Sequence, residues 1–308
     1  MTISISINFI KKTFFILLLS LLFFYTGIPF GLIEKISEEN LIIDNLYTAF
    51  KDSDVIDREI KNLLSPRKVS ADDFTMQTGY YVGDNTDNRQ ITNIGFQPDL
   101  VLLKDNTSVG SDGLLFKTSS MVGERTAKLG EAESDVTSNY IQSLLGNGFT
   151  VGSASDVNAN GVHYFWMAFS GSDCTSSGTF CVGSYTGNGG SQTINTGFEP
   201  DLVVTKQSGT GLAVWRSSSM PVNTTNYFSA TTENTGGQMI QNFTSSGFTI
   251  GNNATVNANA STYWYFAFKE VSGKMDVGTY AGNGVDNRNI TTSIDSGLTF
   301  HPKMVFAK

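Results

Sequence analysis
The residues of this chain that could do chemistry are few, and their spacing points away from catalysis. The two histidines, His163 and His301, do not occupy matching places in the internal repeat described below, so a structural role is the plainer one for each. There is no G-x-S-x-G elbow, H-E-x-x-H pair or phosphate-binding glycine loop, so nucleophilic, zinc and phosphate chemistry lack their usual parts. An E-x-D-x-x-E strand, the paired-carboxylate arrangement of many sandwich-type glycoside hydrolases, is also missing. No catalytic residue is assigned. Asp84 and Asp87, with Asp286 in a later repeat of the same loop, offer hard oxygen ligands spaced loosely like a calcium site. A solvated turn explains the same residues, because the middle copy of that loop reads G-S-Q-T-I. Cys174 and Cys181 flank T-S-S-G-T-F, and with no third thiol or nearby histidine they fit a disulfide in an exported chain better than a metal pair.

Aromatic runs are the remaining feature able to hold a ligand. Tyr164, Phe165, Trp166 and Phe169 are matched by Tyr263, Trp264, Tyr265, Phe266 and Phe268. In a strand, neighbours alternate faces, so half of each set must point away from any one core. A sugar platform would use Tyr164, Trp166, Tyr263, Trp264 and Tyr265, stacking flat ring faces on pyranose rings. Burial on both faces of a central strand is the plainer alternative, since Ala168 and Ala267 provide the small residue that close sheet packing needs.

The elements that position these residues occur twice. G-F-Q-P-D-L-V at Gly95–Val101 returns as G-F-E-P-D-L-V at Gly197–Val203 and is echoed by F-H-P-K-M-V at Phe300–Val305. N-G-F-T-V-G at Asn147–Gly152 becomes S-G-F-T-I-G at Ser246–Gly251, and V-N-A-N at Val157 recurs at Val256. A period near a hundred residues fits an array of small domains and is too long for a solenoid. Strand candidates in the first copy are Tyr80–Val82, Gln90–Ile94, Leu100–Lys104, Leu114–Lys117, Phe149–Val151 and His163–Phe169. The segment Val136–Leu145 suits a helical turn and a strand equally. Gly95 allows a turn that other residues resist, Pro98 fixes its own φ, and Asp99 and Asp201 suit turn capping better than catalysis. The expected fold is all-β: tandem antiparallel β-sandwiches over 78–172 and 183–272, a Cys-flanked linker over 173–182, and a partial third copy over 275–308.

The amino terminus gives the expected address. Lys11 and Lys12 precede an apolar stretch running from Phe14 to Ile33, which reads as a signal peptide or membrane anchor over 1–33. Apolar residues at roughly helical spacing over 34–77 predict a helical spacer and linker. A net charge of −8 opposes nucleic-acid binding, since affinity for phosphate backbones comes from Lys and Arg. Contact with membrane is expected only through the N-terminal segment.

The order G-x-Y-x-G-N-G, G-F-x-P-D-L-V, S-S-M, S-G-F-T-I-G, V-N-A-N and an aromatic strand ending in A-F, seen here at Gly183–Gly189, Gly197–Val203, Ser218–Met220, Ser246–Gly251, Val256–Asn259 and Tyr263–Phe268, resembles a repeat domain of bacteriophage tail proteins and some bacterial surface proteins. The resemblance implies a concanavalin-like or jelly-roll sandwich, and surface recognition or fibre building without a catalytic residue. The expectation is therefore an exported adhesion or glycan-recognition module, with a purely structural spacer array as the alternative and a glycan-cleaving enzyme behind both. No cofactor beyond calcium at Asp84, Asp87 and Asp286 is expected, and the partial third copy is a possible surface for self-association.

Overall fold
In a computed structural model of the chain, the described residues are 74–107, 113–229, 233–287, 290 and 300–307. The expected signal segment over 1–33 and most of the spacer over 34–77 lie outside them. Among the described residues no helix is long and apolar enough to cross a membrane.

All ladders among the strands are antiparallel. The first copy supplies β1 (Thr75–Val82), β2 (Arg89–Thr92), β3 (Leu100–Asp105), β4 (Leu115–Thr118), β5 (Ala127–Lys128), β6 (Ile141–Leu145), β7 (Gly148–Val151), the single turn α1 (Ser155–Asn158) and β8 (His163–Ser170). The second repeats the series as β9 (Phe180–Thr186), β10 (Gln192–Asn195), β11 (Leu202–Gln207), β12 (Val214–Ser217), β13 (Thr225–Tyr227), β14 (Glu233–Asn234), β15 (Ile240–Thr244), β16 (Gly247–Ile250), α2 (Ala254–Asn257) and β17 (Thr262–Phe268). Each copy makes a large sheet, β1-β8-β3-β4-β5 or β14-β13-β12-β11-β17-β9, and a three-stranded one, β2-β7-β6 or β10-β16-β15.

Alternation along the central strands divides their side chains between two cores. Val101 and Leu103 of β3 join Ile141, Phe149 and Trp166 between the sheets of the first copy, and Val203, Phe248 and Tyr265 fill the same place in the second. Leu100 and Leu102 face the other way, into an apolar layer that also holds Phe116 and Phe169 from the first copy and Phe180, Phe266 and Phe268 from the second. The two large sheets thus pack on each other, and β3, β11 and β17 are covered on both faces, as is the end of β8 around Phe169.

The duplicated landmarks have duplicated jobs. Tyr81 stacks on Tyr164 with ring centres 5.2 Å apart, and Tyr185 on Tyr263 at 5.0 Å. Their hydroxyls grip the single turns: Tyr164 donates to Ser155 O and accepts from Ala159 N, while Tyr263 donates to Ala254 O at 2.5 Å and accepts from Ala258 N at 2.7 Å. The first asparagine of V-N-A-N is buried and locks the loop after the first strand. Asn158 donates to Asp84 Oδ1 and Thr86 O, and Asn257 accepts from Asn188 N at 2.8 Å and Gln192 Nε2 at 3.1 Å and donates to Gly251 O at 2.8 Å. Gly79 and Gly183 are required by close approach, since a Cβ there would fall 2.3 Å from Trp166 and 2.5 Å from Tyr265. Gly95 and Gly197 hold φ of +93° and +86°, in the left-handed half of the map that glycine permits.

Asp99 and Asp201 do cap backbone, though of a distant segment. Asp99 Oδ2 accepts from Gly171 N and Ser172 N at 3.0 Å each, and Asp201 Oδ2 from Glu270 N at 2.8 Å, tying the start of one central strand to the end of the next. The ambiguous segment ends in strand β6, and a bulge explains its mixed period. The register shifts between Ile141 and Ser143, so Ile141 and Leu144, three apart, both lie against the core; Ile240 and Phe243 repeat this. The Cys174–Cys181 disulfide is formed, with Cys181 buried inside β9. Replacing Asn257 by Ala strands several buried polar groups at once, so a loss of about 2–3 kcal/mol is expected in urea unfolding; a change within a few tenths would show that the latch is not structural.

Candidate functional site
The five aromatic residues that a sugar platform would use, Tyr164, Trp166, Tyr263, Trp264 and Tyr265, are all buried. Tyr164 and Trp166 lie in the inner core of the first copy and Tyr265 in that of the second, with Tyr263 fully buried beside α2. Trp264 points into the layer between the large sheets, where its Nε1 donates to Asp135 Oδ2 at 2.6 Å. Asp135 also pairs with Arg125 at 3.2 Å, and the Arg125 guanidinium lies 5.9 Å from the Trp264 ring centre. Arg125 Nη1 donates to Ser208 Oγ, Asp135 N to Ser208 O, and Lys206 Nζ to Glu133 O. Trp264 is thus part of a polar seam that joins the copies.

The exposed rings belong to the same strands at other register positions. Tyr80 on β1 and Phe165 on β8 are directly paired and 67% and 51% exposed, with ring centres 6.4 Å apart. His163, two residues along β8, is exposed and stacks on Tyr80 at 6.5 Å with an interplanar angle of 27°. Lys104 of β3 sits opposite Phe165, completing a row Tyr80, Phe165, Lys104 across three strands. Asn106 borders the next row, with its backbone N–H donating to His163 O and its side chain accepting from His163 N. The patch is flat and apolar at its centre, and its edge carries an ammonium, an imidazole and an amide. At the matching positions of the second copy stand Ser184, Trp264 and Thr262, so the sheet itself does not require these rings. Comparing Tyr80 with Ser184 and His163 with Thr262 is the sequence signal that would have found the patch; treating each aromatic run as one set hid it.

The acidic loop residues are already engaged. Asp84 faces Arg89 at 3.3 Å and accepts from Thr86 N and Asn158 Nδ2, and Asp87 Oδ1 accepts from Asn88 N and Gln142 Nε2. Asp286 Oδ1 accepts from Asn287 N. Hydrogen bonding from the Thr86 N–H holds the Asp84 carboxyl below its ordinary range. Among the described residues no group of three or more His, Cys, Asp or Glu is arranged to hold a metal. Glu131, Glu133 and Asp156 do converge within 3.1 Å of one atom, but that atom is Lys128 Nζ. Burial alone would lower the Lys128 ammonium, and the three carboxylates more than reverse this.

Three further cations are buried against backbone carbonyls. Lys117 Nζ donates to Gly123 O at 2.6 Å and Arg125 O at 2.8 Å, and Lys206 Nζ to Glu133 O, Gln207 O and Gly209 O. Arg216, the counterpart of Lys117, does the same for Pro221 O and Thr224 O. These side chains close loops and are tied up in doing so.

A family model described as Domain of unknown function (DUF7483) matches residues 71–308, and the chain belongs to that family. The match is one range running through both copies. No curated protein and no solved structure matches the chain.

Burial pushes the ammonium groups of Lys117 and Lys206 down to about 8 from an ordinary 10.5. Between these values the unfolded chain holds protons that the folded one has released, so stability rises with pH. The urea midpoint is expected to increase between pH 7.5 and 9.5 by on the order of 2 kcal/mol in unfolding free energy. In a Lys117→Met, Lys206→Met double variant that increase should vanish; a wild-type midpoint that falls over this range would contradict the assignment.

Proposed function
We propose that this DUF7483 chain is a non-catalytic recognition module displayed outside the cell, built as a tandem pair of jelly-roll or concanavalin-like sandwiches, with surface glycan as its ligand class. The observation that carries this reading is the Tyr80, His163 and Phe165 patch. Exposed rings lose the benefit of burial and invite aggregation, so a chain that keeps three together, at positions where its own duplicate has Ser184, Thr262 and a covered Trp264, keeps them for contact with something else. Rings lying open on a sheet suit the apolar face of a pyranose, and the polar edge suits its hydroxyls. A protein partner would more often call for a central pocket that is fully desolvated.

Export is supported by Lys11, Lys12 and the apolar run behind them, and by the Cys174–Cys181 disulfide, which belongs to an oxidising compartment. The reading needs no cofactor and leaves calcium out, because Asp84 is matched by Arg89 within the chain. A spacer role in a surface or tail-like fibre is the second reading. It is favoured by the burial of the duplicated aromatic residues and by the F-H-P-K-M-V segment, where Val305 is 74% exposed although its counterparts Val101 and Val203 are buried; an uncovered copy of that sequence suits self-association.

A glycan array probed with the full chain separates the two. Binding to at least one glycan class is expected, weakened about tenfold or more by a Tyr80→Ala, Phe165→Ala double variant, since each lost stacking contact is worth about 0.5–1.5 kcal/mol. A blank array, or binding indifferent to both substitutions, would favour the spacer.

A further inference from the structure
The chain has four Asn-Gly pairs, beginning at Asn147, Asn160, Asn188 and Asn283. Such a pair carries its own chemistry. The backbone nitrogen of the glycine can attack Cγ of the asparagine side chain, because glycine has no Cβ to crowd the approach and reaches backbone conformations closed to other residues. The nitrogen gives up its proton, the new C–N bond closes a five-membered succinimide, and ammonia leaves. Water then opens the ring at either carbonyl, leaving aspartate or isoaspartate. No oxidant, reductant or enzyme takes part.

The attack needs a glycine N–H that is free to move, and a hydrogen-bonded one must first open. Three of the four are held. Gly148 lies in the β6–β7 ladder opposite Leu145, and the Asn147 carboxamide is itself engaged, accepting from Gly95 N at 2.7 Å. Gly161 N donates to Gly83 O and Gly189 N to Asn257 O, both at 2.9 Å.

Asn283 is the exception. Its loop, Y-A-G-N-G at Tyr280–Gly284, repeats Y-T-G-N-G at Tyr185–Gly189, and the two final glycines share a backbone shape, with φ of +68° at Gly284 and +73° at Gly189. The side chains match as well: Asn283 Oδ1 accepts from Val285 N at 3.1 Å, as Asn188 Oδ1 does from Gly190 N at 2.8 Å. Such an Asx turn folds the carboxamide back over the glycine peptide, toward the geometry that attack requires. What differs is the latch. Buried Asn257 accepts from both Asn188 N and Gly189 N in the second copy. Among the described residues none accepts from Gly284 N, and residues 281–287 are all exposed.

We infer that Asn283 converts spontaneously to aspartate and isoaspartate in the folded chain, while Asn147, Asn160 and Asn188 are preserved. The aspartate product has a precedent in the fold, since the first copy carries Asp84 at the matching place, where its Oδ1 accepts from Thr86 N. The isoaspartate product lengthens the backbone by one methylene and breaks that match. Either product adds a negative charge to a loop that already carries Asp286. This loop thus ages chemically while its latched counterpart does not.

The test is peptide mapping by mass spectrometry of the full chain held at mildly alkaline pH, with a second sample kept unfolded in urea as the reference. In urea all four sites are expected to pass from amide to acid at comparable rates. In the folded chain Asn283 should convert within about tenfold of its urea rate, and the other three should be slowed about a hundredfold or more. Gly284→Ala should slow conversion at Asn283 about tenfold by crowding the attack. The inference is overturned if Asn283 stays an amide in the folded chain while its urea reference converts. It is equally overturned if Asn147, Asn160 or Asn188 converts as fast as Asn283, or if Gly284→Ala converts like the wild type.

Discussion
The apolar layer between the two large sheets is the constraint on which the rest of this molecule depends. Phe74, Phe169, Phe180 and Phe268 meet there in tilted, edge-on and stacked contacts with ring centres 4.6 to 6.2 Å apart. Each such ring contributes about 1.5–3 kcal/mol by leaving water. Neither copy can complete that burial alone, because the outer face of its large sheet is as apolar as the inner one. The duplicated unit is therefore a pair of sheets with a second sticky face, and the partner copy covers it.

This arrangement explains why two similar sequences came to present different surfaces. The shared layer covers Trp264 in the second copy and recruits its indole N–H to Asp135, whereas the matching Phe165 lies beyond the cover and reaches solvent. Once the faces are unequal, the residues on them are free to diverge. Tyr80 and His163 surround the exposed ring, while Ser184 and Thr262 occupy the corresponding places in the other copy. Difference between the duplicates separates what folding requires from what it does not: what recurs in both copies is needed by the paired sheets, and what occurs once is open to another use.

Much of the fold was legible because its causes are local. Gly95, Pro98 and Asp99 announce the entry to β3, the alternation in Leu100 to Leu103 predicts a strand covered on both sides, and the two cysteines predict their own bond. The mixed period of Ile141 to Leu145 was a trace of the bulge, readable only once the register was known. The short strand β5 and the turns α1 and α2 carry too few residues for any period to show. The site was less legible. A run such as Tyr164, Phe165, Trp166 reveals that two faces are aromatic without revealing which is covered, since that depends on a sheet contributed from about a hundred residues away. The seam of Arg125, Asp135 and Trp264 is likewise non-local and leaves no spacing to read.

Native-state hydrogen exchange of the backbone amides in β8 and β17 addresses the shared layer most directly. These strands lie at equivalent places in the two copies, and each contributes a phenylalanine, Phe169 or Phe268, to the layer. Their amides are expected to open with one common free energy, and Phe268→Ala is expected to lower it in both strands by the same amount. Loss of protection in β17 with β8 unaffected would show two separately stable domains and contradict the single body described above.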